Sequence, residues 1–219
     1  MISRTHKSAR AFTLVEIVVV VAIIGLLLGV GLPALSQARR SAGRTESANN
    51  LRTLHAATEA YRLSHAMRLP YADRMLANIR RINESPLWAE PFRAIATFMD
   101  TQKFPGVDED AVVTTSPPWS CRADRQIAPE TGFSYAYWPA FDMSLFPTEH
   151  GATMQTSAFY TANANLPLYI EAGNWHSGSS NDDSRIAGRL ASFMHGGVGP
   201  IPEDFHRKSL GGHLNIPLE

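Results

Sequence analysis

Hydrophobic positions are distributed very unevenly along this chain. From Ile17 to Leu35 nineteen residues pass without a charge. As a helix rising 1.5 Å per residue, that run spans about 28 Å, roughly one bilayer core. Glu16 stands at its edge. A charged side chain inside a membrane helix costs about 2.5–3.5 kcal/mol, so such a residue normally has a partner. A plain anchor would be better served by leucine, so a group outside this helix is expected to meet Glu16.

Past the run the pattern becomes amphipathic. Arg39, Arg40, Arg44, Glu46 and Arg52 mark departure from lipid, and Leu51, Leu54, Thr58 and Tyr61 recur at three- and four-residue spacing. The spacing predicts one helix from about Phe12 to about Ser64, its first half in the membrane and its second half docked on a head. Gly25, Gly29, Gly31 and Pro33 weaken the first half, since glycine costs about 1 and proline about 3 kcal/mol in a helix interior. Pro33 also removes a backbone donor and crowds the carbonyl of Gly29. Close helix contacts in a membrane are the alternative use of such glycines.

The head reads as mixed. Ala72 to Glu84 predicts a short helix with Met75, Leu76, Ile79 and Ile82 on its apolar face, stopped by Pro86. Phe92 to Met99 predicts another turn or two. Beyond Val107 short strands are expected at Ala111–Thr115, Phe133–Trp138, Leu168–Glu171 and near Leu214. The fold class is therefore α+β: one long N-terminal helix on a small, mostly antiparallel sheet with long loops.

Ahead of the apolar run, Met1 to Ala11 carries Arg4, Lys7 and Arg10 and no acid, which the positive-inside rule keeps in the cytoplasm. Three fates are open to this leader. A signal peptidase could cut after Ser36-Gln37-Ala38, the helix could stay uncut, or cleavage could fall between Ala11 and Phe12.

The stretch Phe12-Thr13-Leu14-Val15-Glu16-Ile17-Val18-Val19-Val20-Val21-Ala22-Ile23-Ile24-Gly25 resembles the prepilin signature of type IV pilins and type II secretion pseudopilins. The resemblance implies a pilin-like fold and cleavage by prepilin peptidase between Ala11 and Phe12, with N-methylation of the new terminus. Family members have glycine where Ala11 stands. It also implies a partner for Glu16, the α-amine of Phe12 in a neighbouring subunit; two charges in an apolar core are tolerable as a close pair. By the same resemblance the helix loosens between Gly25, Gly29 and Pro33 on assembly. The implied organisation is a leader at 1–11, a membrane and filament-core helix at 12–35, its amphipathic continuation at 36–66 and a head at 67–219. The implied partners are other copies and other pilin subunits, prepilin peptidase, the membrane and its assembly platform. The implied location is the cytoplasmic (inner) membrane, crossed once, with the head periplasmic or extracellular.

A second resemblance concerns the head. Trp119-Ser120-Cys121-Arg122-Ala123-Asp124 and Gly132-Phe133-Ser134-Tyr135-Ala136-Tyr137 are similar to segments of pseudopilin-like proteins of planctomycete-type bacteria, which end in a His-x9-Asp-Gly element. Leu168 to His176 is similar to their strand and histidine loop, and His195-Gly196-Gly197 to the start of the terminal element. No Asp-Gly follows at the required distance, and Arg122 replaces a proline.

Net formal charge is zero and pI is near 7, so nothing points to nucleic acid. Cys121 is the sole cysteine, which leaves no intrachain disulfide. His150, His176, His195, His206 and His213, with Glu171, Asp182, Asp183 and Cys121 as further donors, are the candidates for a metal, but no His or Cys pair has the spacing of structural zinc sites. Oxygen-rich loops suit calcium, and the loop from Asn174 to Asp183 offers Asn181, Asp182 and Asp183, but it lacks the Asp-x-Asp-x-Asp-Gly spacing and reads first as a solvated polar loop; no cofactor is expected, with calcium there as the alternative. Trp119, Tyr135, Tyr137 and Trp138 are read as core packing, with a sugar or peptide platform as the alternative. No nucleophile elbow or phosphate-binding loop is present. The expected function is structural and noncatalytic: a filament subunit. A membrane-tethered binding protein (a minor pilin or receptor) and a metal-dependent enzyme are the alternatives.

Overall fold

The computed structural model describes residues 14–81, 85, 89–99, 103–173, 175–176, 188–202 and 205. The chain divides into two units, Met1–Ser41 and Ala42–Glu219. Helix α1 runs Leu14–Ser64, as the hydropathy pattern predicts. In the first unit every large apolar side chain from Leu14 to Leu35 is exposed, and the helix is long and apolar enough to cross a membrane. A continuous apolar surface of this kind demands a nonaqueous cover.

In the second unit α1 buries one face. Ser47, Leu51, Leu54 and Thr58 are fully buried, with Asn50, Ala57 and Arg62 nearly so, matching the three- and four-residue spacing of the stripe. The helix ends without glycine: Ala66 and Met67 take positive φ (53° and 61°), and the Met67 N–H donates to the Arg62 carbonyl at 2.8 Å, a Schellman-type closure.

The main sheet is an antiparallel meander of β3 (Tyr135–Tyr137), β4 (Pro167–Glu171), β5 (Leu190–Phe193) and β6 (Val198–Pro200), in that order. Tyr135 pairs with Glu171 across β3 and β4, and Ala191 with Gly199 across β5 and β6. A two-stranded ribbon joins β1 (Gly106–Val107) to β2 (Val113–Thr114). Short helices α2 (Phe92–Ala96), α3 (Ala128–Thr131) and α4 (Pro139–Met143) and the longer α5 (Glu149–Ala162) complete the unit. The α+β class with an antiparallel sheet stands.

One expected element is replaced. The segment from Ala72 forms no α-helix among its described residues; a 3-10 turn at Ile79–Arg81 is all that curls. Leu76 instead makes an isolated bridge to Ala136, and the Tyr137 N–H donates to the Met75 carbonyl at 2.8 Å. The edge of β3 offers backbone partners that a three-turn helix here would forgo. The strand expected near Leu214 lies outside the described residues. Helix α5 was not anticipated; Thr148 caps it by accepting from the Gly151 N–H.

Aromatic rings share one core with Leu51 and Leu54 of α1. Phe92 stacks on Phe133 at 4.7 Å between centroids, Trp119 meets Phe92 edge-on, and Tyr169 packs against both Phe92 and Tyr137. Trp119, Tyr135 and Tyr137 are fully buried and Trp138 nearly so. These four rings are therefore core, and the platform alternative is corrected.

Candidate functional site

Two sites matter, one on each unit. On the first, Glu16 lies in the first turn of α1, where an acid meets the positive end of the helix dipole. The helix continues unbroken through Gly25, Gly29 and Pro33. A Cβ added at Gly25, Gly29 or Gly31 would meet nothing within 4 Å, so these positions leave open room along the helix. Ser36 Oγ donates back to the Pro33 carbonyl at 2.8 Å. Ala11 and Phe12 lie outside the described residues.

On the second unit, a buried polar network joins α1 to three strands. The Asn50 amide donates to the Tyr135 hydroxyl at 3.0 Å and to the Ser120 carbonyl at 3.0 Å. Tyr135 OH lies 3.2 Å from Ser47 Oγ, which itself donates to Glu171 Oε1 at 2.5 Å. Because the Ser47 proton is committed to the carboxylate, the Tyr135 hydroxyl is the donor to Ser47. The chain Asn50, Tyr135, Ser47, Glu171 is thus polarised in one direction, which strengthens each bond in a buried setting. Glu171 Oε2 accepts the Leu190 N–H of β5 at 3.0 Å.

His176 completes this network. Its Nε2 lies 3.2 Å from Glu171 Oε1 and 3.6 Å from Cys121 Sγ. The His176 and Glu171 side chains are only 7 % and 2 % exposed. Burial works against charge on the ring. The hydrogen bonds with the Cys121 sulfur and the Glu171 carboxylate, together with the carboxylate charge, outweigh it and raise His176 from 6.5 to about 9. Burial pushes the Tyr135 hydroxyl far up, with hydrogen bonds from Ser47 and Asn50 opposing. The imidazole packs on α1 where Gly43 leaves room: a Cβ there would stand 3.2 Å from His176 Cε1.

The thiol and the carboxylate face the same ring nitrogen. In a histidine-activated nucleophile the acid holds the opposite nitrogen and sets the tautomer. That relay geometry is lacking here, and the arrangement suits docking of α1 on the sheet.

Of the residues proposed as metal donors, Cys121, Glu171 and His176 come together in this network. His150 instead accepts from Arg68 at 3.2 Å, and His195 Nδ1 sits 2.9 Å from the Ala164 carbonyl. His206, His213, Asn181, Asp182 and Asp183 lie outside the described residues. Among the described residues no three His, Cys, Asp or Glu side chains are arranged to hold a metal ion. Ser47 and Asn50 had no signal as site residues in the sequence, and Tyr135 was read there only as core or as part of a platform; a serine and an asparagine on the buried face of a helix were the available hint.

Residues 6–32 match the family model of the prokaryotic N-terminal methylation motif. No curated protein and no solved structure gives a significant match to the chain. With its apolar α1 and Glu16 in the first helical turn, the chain carries the prepilin-type N-terminal signature.

Proposed function

We propose that this chain is a structural subunit of a pilus-like filament, of the type IV pilus or type II secretion pseudopilus kind. In this reading prepilin peptidase removes the leader 1–11 between Ala11 and Phe12 on the cytoplasmic side of the inner membrane. The helix at 12–35 waits in the bilayer and later joins the filament core, while residues 36–66 carry the head at 67–219 in the periplasm or on the surface. Glu16 registers each incoming subunit against the Phe12 amine of its neighbour. Loosening at Gly25, Gly29 and Pro33 lets the helix adjust, and the assembly platform supplies the drive. The role is noncatalytic.

The observation that carries this reading is the methylation motif at residues 6–32 on a helix whose apolar half is wholly exposed. Two charged groups buried in apolar surroundings persist only as a pair, which gives Glu16 a reason to stand in that motif. The binding-protein alternative loses support because Trp119, Tyr135, Tyr137 and Trp138 are core.

Intact-mass analysis of protein from native membranes tests the proposal. A chain beginning at a methylated Phe12 is the expected result. A chain beginning at Arg39, or one retaining Met1, would overturn it.

A further inference from the structure

Arg39 and Arg40 stand where the uncharged part of α1 ends. From Ile17 to Ala38 there are 22 residues without a charge, a helical length of about 33 Å against a hydrocarbon core of about 30 Å. With Glu16 at one edge of that core, Arg39 falls just past the other. Both arginines are exposed, and neither bonds to any described residue. Other arginines do find partners: Arg52 donates to Asn49, Arg62 pairs with Glu59, and Arg80 donates to the carbonyls of Glu130 and Ala111.

We infer that Arg39 and Arg40 bind the phosphates of lipid headgroups in the leaflet on the head side, and so fix the depth of α1 before assembly. The inference rests on the membrane-anchored reading above and extends it to a named ligand chemistry. Successive residues on an α-helix point about 100° apart, so the two guanidinium groups diverge around the helix. A single protein face reaches one of them, whereas a headgroup layer surrounds the helix and reaches both. A guanidinium presents a planar fork of donors that matches phosphate oxygens bidentately. Its apolar stem lies along the helix and extends the apolar surface to the hydrocarbon boundary.

The test uses the full chain, with guanidinium-carbon-labelled arginine, in vesicles of phosphatidylcholine and phosphatidylglycerol. Solid-state carbon–phosphorus dephasing reads which arginines touch phosphate. The double variant R39K/R40K keeps charge and helix propensity and removes only the labelled groups. It is expected to lose two arginines' share of the dephased signal, and R52K to lose none. A dephased signal unchanged in R39K/R40K would overturn the inference and turn attention to a protein partner. So would an equal loss in R52K, which would mean unspecific contact. The vesicles contain no other subunit, so the result is independent of whether Phe12 becomes the mature terminus.

Discussion

Ser47 on α1 donates to Glu171 on β4 at 2.5 Å, across 124 residues of chain. This bond anchors the helix to the sheet one turn before Leu51 and Leu54, which are fully buried. Glu171 also holds the Leu190 N–H and His176, so one carboxylate joins α1, β4, β5 and the loop beyond β4.

Glu171→Ala is expected to destabilise the head by about 3–5 kcal/mol, because it leaves a buried imidazolium without its counter-charge. Glu171→Gln removes the same charge but keeps one acceptor oxygen, so a loss smaller than that of Glu171→Ala is expected from it. Urea unfolding of the full chain in detergent, followed by tryptophan fluorescence, measures both. Equal midpoints for the wild type and Glu171→Ala would remove the network from any role in docking.

Two histidines predict opposite limbs of the pH profile. His176 holds its proton more tightly in the folded chain, near 9 against 6.5. Its contribution is fully present below pH 6.5 and is lost as pH rises through about 9; it amounts to about 3 kcal/mol. His55 is shifted the other way, lowered by burial, with Glu59 opposing and Arg62 and His195 adding to the effect. Its folded-state preference for the neutral ring is felt at high pH and turns into a loss as pH falls below 6.5. Stability is therefore greatest near pH 6.5 and falls on either side of it. His176→Gln should flatten the alkaline limb and His55→Gln the acid limb, measured as urea midpoints from about pH 5 to about pH 10. An alkaline limb unchanged in His176→Gln would assign it to another group.

Sequence periodicity revealed what repeats and concealed what does not. Helix α1 and its stripe from Leu51 to Tyr61 follow a 3.6-residue period, and β4 is a short apolar run, so both were legible. Helix α5 was not, because its buried face is Ala152, Thr153, Thr156, Ser157 and Tyr160, a set too small and polar to register as a stripe. The segment from Ala72 carries apolar residues at helical spacing, yet the backbone groups of β3 draw Met75 and Leu76 into edge pairing. Cys121, Glu171 and His176 stood out singly as chemical groups. Their meeting with Ser47 and Tyr135 comes from tertiary packing, which no local spacing encodes.

The end of α1 offers a stability gain. Met67 holds φ at 61° and is about half exposed. A left-handed conformation costs a side-chain-bearing residue about 1–2 kcal/mol, and glycine gives back part of that through its freer unfolded chain. Met67→Gly should raise stability by about 0.5–1 kcal/mol, visible as a higher Tm in the full chain. A lower Tm would show that the Met67 side chain contributes more by packing than its backbone strain costs.

Glu16 gives the sharpest test of the filament proposal, because its two roles separate. As a group in the first turn of α1 it helps the local helix by only about 0.3–1 kcal/mol, too little to affect insertion or cleavage. As the partner of a buried α-amine, its loss leaves an unpaired charge among apolar helices, at a cost of about 3–5 kcal/mol for each subunit added. Glu16→Ala should therefore yield mature protein beginning at Phe12 in normal amounts, while sheared or pelleted filaments fall by two orders of magnitude or more, about what that energy implies. Glu16→Asp keeps the charge on a shorter arm and should recover part of the yield. Normal filament from Glu16→Ala would show that the acid serves the isolated helix alone, and loss of cleavage would place its role at the peptidase.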